Sequence, residues 1–437
     1  MQNNEARIEL ILIQPEAAAV HTLAAIQPNK LNIGDNMVVC DAGGGTVDLI
    51  SYKITNLEPL QVIESTQGEG GLCGGVFVNR RFEAHIKDRL GEERFNKFKT
   101  ANPKSWRVAL EFFEERVKRW FGARSMTTFD VPFPGFPDDE AAGIEASFLT
   151  LKSEQVKQIF DPVVEKVIIL VDNQVRALRA EGEKVAAIIC VGGFGQSAYL
   201  RKRLAAHFQT DLPPAYSSQD GSSSSNDSVP DVDNDSIEVM VLTDCWTACV
   251  RGALQRGLQD SIVMSRKCRF HYGIKVSPKF QAGVHPVNSR KWCDVQEYFK
   301  ASGVMRWYLS KGETIDKDHQ VAFHFSRSWS KHPLTGTQEH YAHTTLLASA
   351  SASQALMKDD ASVFNVCTLT TDLRTIPRRH FRKCTAPSGK RYYSISYDLV
   401  MKINSADIDF SLEIDDKSYS SVAASFEHSS LAPSFES

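Results

Sequence analysis

A glycine run set between two β-prone stretches constrains this chain more than any other feature: Met37-Val-Val-Cys-Asp41, then Ala42-Gly43-Gly44-Gly45-Thr46, then Val47-Asp48-Leu-Ile-Ser-Tyr-Lys-Ile54. β-Branched residues on both sides of a glycine turn predict a hairpin, and residues 60–64 can supply a third strand. The turn closes a hairpin instead of opening a helix, and no Gly-Lys-Ser/Thr follows it. Both a dinucleotide fingerprint and a Walker loop are therefore excluded. Asp41 ends the first strand and Asp48 begins the second, so two carboxylates flank a bare backbone that an anion can approach closely. Carboxylates beside a phosphate cradle imply a divalent cation.

A second glycine turn lies downstream. Val185-Ala-Ala-Ile-Ile-Cys-Val191 is apolar throughout and predicts a fully buried strand, which feeds Gly192-Gly193-Phe194-Gly195-Gln196-Ser197 and a helix over 198–208. Strand, glycine turn and helix in that order aim backbone N–H groups at a phosphate or a ribose. Between the two turns the pattern predicts helices over 79–90 and 104–121. The latter presents an apolar stripe of Trp106, Leu110, Phe113, Val117, Trp120 and Phe121 to the core. Prolines make 131–137 extended, and a long helix is predicted over 153–180, capped by Ser153 and kinked at Pro162. Residues 213–236 are rich in Ser, Asp and Pro with almost nothing to bury, and predict a disordered insertion. A strand over 237–242 and a helix over 247–258 follow. Past a boundary near Gln259, β-prone runs at 270–276, 304–309, 321–325, 362–370, 391–401 and 408–414 predict a β-rich domain. The Ser-rich end, 418–437, predicts a flexible tail.

Composition sets outer limits. With 42% hydrophobic and 24% charged residues in a chain of 437, most of the length can bury a core, which excludes global disorder. Lys and Arg number 50 against 53 Asp and Glu, and a net charge of −3 does not advertise nucleic acid or an acidic membrane as the main partner. The polar start lacks the basic-then-apolar pattern of a secretory signal, and no run approaches the ~18 apolar residues of a membrane span. A soluble, cytoplasmic protein is expected. Nine cysteines, none in C-x-x-C spacing, indicate reduced thiols instead of a disulfide framework or a zinc knuckle. Cys245 and Cys249, one helical turn apart, are expected to pack. His332, Glu339, His340 and His343 are expected in a polar loop, and the basic stretch 374–391 around Phe381 on a charged β edge.

The two glycine turns together resemble the nucleotide clamp of actin-like ATPases. Asp41-Ala-Gly-Gly-Gly-Thr-Val-Asp48 resembles their second phosphate motif, and Val191-Gly-Gly-Phe-Gly-Gln-Ser-Ala-Tyr-Leu200 their adenosine motif. Within that superfamily the chain is similar to the heat shock protein 70 family. Gln14-Pro-Glu-Ala-Ala-Ala19 resembles its connecting segment, residues 74–80 (GGVFVNR) its stretch after the third strand, and Glu115-Arg-Val-Lys-Arg119 its adenine-pocket helix. Phe194-Gly195, the Trp-rich helix, Tyr272-Gly273 and residues 307–312 look more like a divergent, heat shock 70 kDa protein 12-like branch. The resemblance covers residues 8–258 and reaches the remainder only weakly.

The resemblance implies an α/β fold of actin-like (ribonuclease H-like) lobes over 1–258, the first incomplete, followed by a β-rich C-terminal domain over 259–417. It also implies roles. Gly43, Gly44, Gly45 and Thr46 would hold the β- and γ-phosphates; Asp41 would position the magnesium water shell as the catalytic carboxylate, supported by Asp48. Gly192 and Gly193 would lie against ribose and α-phosphate, Glu115 and Lys118 would bond the adenosine, and Arg119 would stack on adenine. Departures bear on activity. No Asp-x-Gly-Thr-Thr loop or following lysine is found near the start. Gln14 stands where the family has a glutamate, and Gly75, Val76 and Val78 occupy acidic positions. Gln196 replaces an arginine and Trp246 an aspartate. The expectation is a heat shock 70-like, chaperone-related protein that binds ATP or ADP with Mg2+ weakly and hydrolyses little or none. Protein or peptide clients would engage the C-terminal domain, with no nucleic acid and no membrane. The alternative is a non-enzymatic interaction scaffold.

Overall fold

The glycine hairpin forms the middle of a sheet. The computed structural model describes residues 8–9, 13–26, 31–123, 126–208, 237–241, 245–258, 262–317, 319–335, 340–403 and 407–425. One compact unit is built on Ile13–Ile262 and another on residues 263–425, to which Ile8–Glu9 adds a short strand paired with Asp407–Ile414. The insertion expected at 213–236 and residues 426–437 lie outside the described residues.

In the first unit the strand order is Leu60–Gly71, Val47–Leu57, Asn36–Ala42, Val185–Val191, Glu238–Val241. The first three form an antiparallel meander and the last two extend it in parallel. Asn36–Ala42 is buried along its whole length, as a strand with helices on both faces must be. Val38, Cys40 and Ala42 join the core completed by the helix Ser153–Ala180, while Met37 and Val39 alternate to the opposite face, where the helix Ile13–Ile26 packs. Ser153–Ala180 buries Val156, Ile159, Phe160, Val163, Val164 and Val167 at helical spacing and carries Pro162 inside it. Its cap differs from the expectation. Lys152 is the N-cap residue, its N–H donating to Gln155 Oε1 at 2.9 Å, and Ser153 lies inside the helix with its hydroxyl on the carbonyl of Met126.

The stretch predicted as one helix over 104–121 is Pro103–Phe112, a π-helical turn at Phe113–Val117 and a last short piece, Lys118–Trp120. The wider turn keeps Phe113, Val117 and Phe121, spaced by four, on the core side. It corrects the predicted stripe at Trp120, which is 43% exposed.

In the second unit every predicted β-prone run is a strand. One sheet has the order Val304–Leu309, His271–Val276, Tyr341–Ser349, Val363–Asp372, Ala423–Ser425; another contains Gln320–Trp329, Arg391–Ile403 and Asp407–Ile414, edged by Arg382–Thr385 and Lys417–Ser421. Ile274, Leu346, Leu369, Phe323, Leu399 and Leu412 belong to one apolar core shared by the two. Lys417–Ser421 and Ala423–Ser425 continue this strand system past residue 417, where the serine-rich composition places a tail. No helix among the described residues is long and apolar enough to cross a membrane.

Candidate functional site

The turn at Gly43–Thr46 is tight, with the Gly43 N–H donating to the Thr46 carbonyl at 2.9 Å, and it rests on the start of the helix Gly75–Leu90. The N–H groups of Gly74, Gly75 and Val76 donate to the carbonyls of Gly45, Gly43 and Gly44 at 3.1, 3.0 and 2.8 Å. The first-turn donors that a helix leaves unpaired thus take up the outward carbonyls of the glycine turn. Gly74 is required there, since a Cβ on it would stand 2.6 Å from the backbone of Gly44 and Gly45. With its carbonyls committed, the turn keeps the N–H groups of Gly44, Gly45 and Thr46 without a backbone acceptor among the described residues. A Cβ on Gly44 or Gly45 would meet nothing within 4 Å, and Gly44, Gly45 and Thr46 are all exposed. Backbone N–H groups left without acceptors on an exposed turn suit an anion.

The second turn meets the first directly. Asp41 and Val191 are register partners on neighbouring parallel strands, and Gly192 follows with φ +83°. A Cβ on Gly192 would fall 2.5 Å from both Asp41 Oδ1 and the Ala42 carbonyl. Gly193, one step on, faces open space. The two motifs, far apart in sequence, therefore form one surface.

Asp41 and Asp48 face each other across the hairpin as a register pair. Asp41 is 7% exposed; burial raises its carboxyl above the usual range, the Cys249 thiol opposes this by donating to Oδ2 at 3.3 Å, and the Asp48 charge adds to the rise. Asp48 is half-buried and accepts the Thr46 hydroxyl at 2.9 Å. Cys249 is thus a site residue that the sequence assigns to packing; its thiol is pushed up to about 12 by burial and the neighbouring carboxylate. Only the hydrophobic spacing of its helix, Ala248–Leu258, is visible in the sequence. Among the described residues no group of three or more His, Cys, Asp or Glu assembles into a metal cluster. The pair of carboxylates beside free N–H groups fits magnesium held through water and phosphate oxygens, which needs few protein ligands.

Of the residues expected at the adenosine end, Lys118 comes close to the glycine turns. A Cβ on Gly75 would lie 3.2 Å from Lys118 Nζ and 3.5 Å from Phe194 Cβ. Burial lowers the Lys118 ammonium, and its Nζ donates to Asn79 Oδ1 at 3.2 Å and Glu114 Oε1 at 3.1 Å, the latter partly restoring the charge. Glu114, with the i, i+4 spacing of an ion pair, is a partner that sequence reasoning misses. Glu115 and Arg119 are exposed on the π-helical turn and the short piece after it, with no hydrogen bond or ion pair among the described residues. Trp246 is 65% exposed. Gln14 lies in the helix Ile13–Ile26.

The histidines expected in a polar loop stay apart in their contacts. His332 accepts from Leu334 and packs on Phe381 and Tyr393, His343 bonds Thr370, and Glu339 lies outside the described residues. In the basic stretch Arg374 is held by Asp372, and Phe381 is buried in the core.

No family model matches the sequence. Among curated proteins the chain is similar to human "Heat shock 70 kDa protein 12B", 26% identical over 303 residues, covering 62% of this chain and 40% of that protein. Human "Heat shock 70 kDa protein 12A" is 23% identical over 323 residues, covering 67% and 43%. "Chaperone protein DnaK" of Thermoplasma volcanium is 23% identical over 195 residues, covering 45% and 30%. The chain spans about two fifths of the length of the first two relatives.

Proposed function

We propose, from the premise that this chain is a divergent relative of the heat shock protein 70 family with an α/β actin-like fold and a β-rich region behind it, that the joined glycine turns bind the adenine nucleotides ATP and ADP. The observation that carries this reading is the Gly43–Thr46 turn, whose carbonyls are taken by the Gly75–Leu90 helix start while the N–H groups of Gly44, Gly45 and Thr46 have no backbone acceptor among the described residues and all three residues are exposed. Gly44, Gly45 and Thr46 would meet phosphate oxygens, Gly192 and Gly193 the ribose and α-phosphate, and Lys118, Glu115 and Arg119 the adenosine. Asp41 and Asp48 would hold Mg2+ through its waters. Bound magnesium would neutralise phosphate charge. The exposed guanidinium of Arg119 is free to stack on a flat base.

Hydrolysis by residues 1–437 on their own is proposed to be near background. The first turn of the Gly75–Leu90 helix carries no acid, and Asp41, the one buried carboxylate at the turn, is engaged by the Cys249 thiol. Each missing hydrogen bond to the transition state raises the barrier by about 2–4 kcal/mol. A phosphate-release assay is expected to show no turnover above buffer. Magnesium-dependent turnover that vanishes in Asp41→Ala would refute this. Calorimetry is expected to find ATP, ADP and adenosine bound weakly and with similar affinity, because a single loop leaves much of the triphosphate in solvent, where its charge is screened. Tight binding with a large preference for ATP over adenosine contradicts the proposal.

The Cys249 thiol on Asp41 favours a second reading, a scaffold that has kept the fold without the chemistry. Absence of any nucleotide binding selects it. Chaperone-type clients on the β-rich unit and a cytoplasmic location remain part of the first reading.

A further inference from the structure

The β-rich unit holds a cavity of about 540 Å³ whose lining includes Lys275, Arg306, Arg327, Lys358, His324 and His343 and no Asp or Glu. The lining is drawn from several strands and one turn, and neighbouring residues of a strand stand on opposite faces of its sheet. Lys275 and Arg306 come from the adjacent strands His271–Val276 and Val304–Leu309, in which Ile274 pairs with Arg306 and Lys275 with Met305. His324 and Arg327 come from Gln320–Trp329, and His343 from Tyr341–Ser349. These strands, together with the turn residue Lys358, line one space.

Lys275, Arg306, Arg327 and Lys358 lack carboxylate partners; none of them is in an ion pair among the described residues. Arg327 is held by neutral acceptors, its Nε on Tyr397 Oη at 3.0 Å and its Nη2 on the His343 carbonyl at 2.6 Å and Thr344 Oγ1 at 3.0 Å. That fixes the guanidinium plane and leaves Nη1 without an acceptor among the described residues. The nearby Asp398 is taken by His324, at 2.8 Å from Nδ1. Thr344 and Thr345 add hydroxyl donors, and Phe325 and Leu347 an apolar wall. Like charges gathered around one space repel, and an arginine held in place without a counter-ion keeps that charge directed at whatever enters.

We propose that this cavity binds a compact ligand carrying at least two phosphoryl groups, either free or as a lipid headgroup. A phosphoryl group carries about −1.5 to −2 charges near neutral pH, so two balance the four fixed cations. Arginine forks and hydroxyl donors match phosphate oxygens. The proposal is independent of the glycine turns, which lie in the other unit.

The test uses the full chain and inorganic pyrophosphate, measured by calorimetry. Binding is expected, weakening steeply with salt, and Lys275→Glu with Lys358→Glu is expected to weaken it at least tenfold. Both side chains are exposed, so the double variant should keep its circular dichroism and melting temperature. Arg378→Glu with Arg379→Glu, an equal charge change outside the cavity, should alter affinity less than twofold. No binding to the wild type overturns the proposal, and so does equal loss in both double variants. Binding that survives the Lys275/Lys358 reversal places pyrophosphate elsewhere, at the glycine turns, and also overturns it. Phosphatidylcholine vesicles with and without phosphatidylinositol bisphosphate separate the sources. Retention on the former that pyrophosphate competes away marks a headgroup, and pyrophosphate binding without retention marks a free ligand.

Discussion

Asp41 concentrates the conflict between stability and function at the level of single residues. Its carboxyl is raised by burial, so the fold favours the protonated form more than the unfolded chain does. The sign follows: this contribution to stability is complete below the unfolded pKa and is lost as pH rises through the folded one. Asp41→Asn is therefore expected to melt above wild type at pH 7, with the difference closing as pH falls toward the unfolded carboxyl range at about pH 4. Scanning calorimetry across that range checks it, and a wild type equal to the variant at every pH refutes it. Arg119→Ala is expected to weaken adenosine binding several-fold, more than Thr46→Ala does, since the base and not the phosphate carries the affinity; the reverse order in calorimetry would move the affinity to the turn. The glycine turns and both aspartates were legible from residue type and spacing. Cys249 and Glu114 were not, because a thiol on an apolar helix and a glutamate on a solvated one carry no signal until a neighbour from another element arrives.

Elements in the first unit are locked by two devices that spacing alone does not reveal. The buried Gln174, on the long helix, accepts the Ser51 hydroxyl at 2.8 Å and the Thr66 hydroxyl at 2.9 Å, and donates to the Gln67 carbonyl at 3.0 Å, tying helix to sheet. Gln174→Leu keeps the apolar packing but leaves two buried hydroxyls without their acceptor, so a loss of about 3 kcal/mol is expected in denaturant titration. A loss below about 1 kcal/mol would mean that water replaces the amide. The second device is a backbone approach: a Cβ on Gly252, in Ala248–Leu258, would stand 1.6 Å from the Ala17 carbonyl in Ile13–Ile26. Gly252→Ala must push these helices apart, at a cost of about 3 kcal/mol or more. Because Cys249 is carried on the same helix, the variant is also expected to increase the reactivity of that thiol, read by alkylation rate. Most helix and strand positions followed from periodicity, whereas the helices Ile13–Ile26 and Glu92–Ala101 and the π-helical turn at Phe113–Val117 did not. One residue of extra winding changes which side of the helix faces the core, and no local propensity announces it.

For the whole chain, ligand linkage offers the sharpest check on the division of labour. A ligand that binds one native unit stabilises that unit by mass action. Saturating adenosine is expected to slow hydrogen exchange around 41–48, 74–79 and 191–196 and to leave the strands of 263–425 unchanged. Pyrophosphate is expected to protect the strands carrying Lys275, Arg306 and Arg327. Protection by adenosine confined to the β-rich unit would transfer the nucleotide site there. The sequence by itself determined the two glycine turns, the strand leading to each, and the β-rich character of the region past about residue 259, since these rest on local chemistry: which residues tolerate a bare turn, which prefer a pleat, which avoid water. Tertiary structure alone decided that Gly192 would touch Asp41, that the Gly75–Leu90 helix start would take the carbonyls of the turn, and that three cations from separate strands and a fourth from a turn would line one cavity. Those are encounters between residues far apart along the chain, set by sheet order and packing, and a one-dimensional pattern carries no record of which distant group will stand opposite.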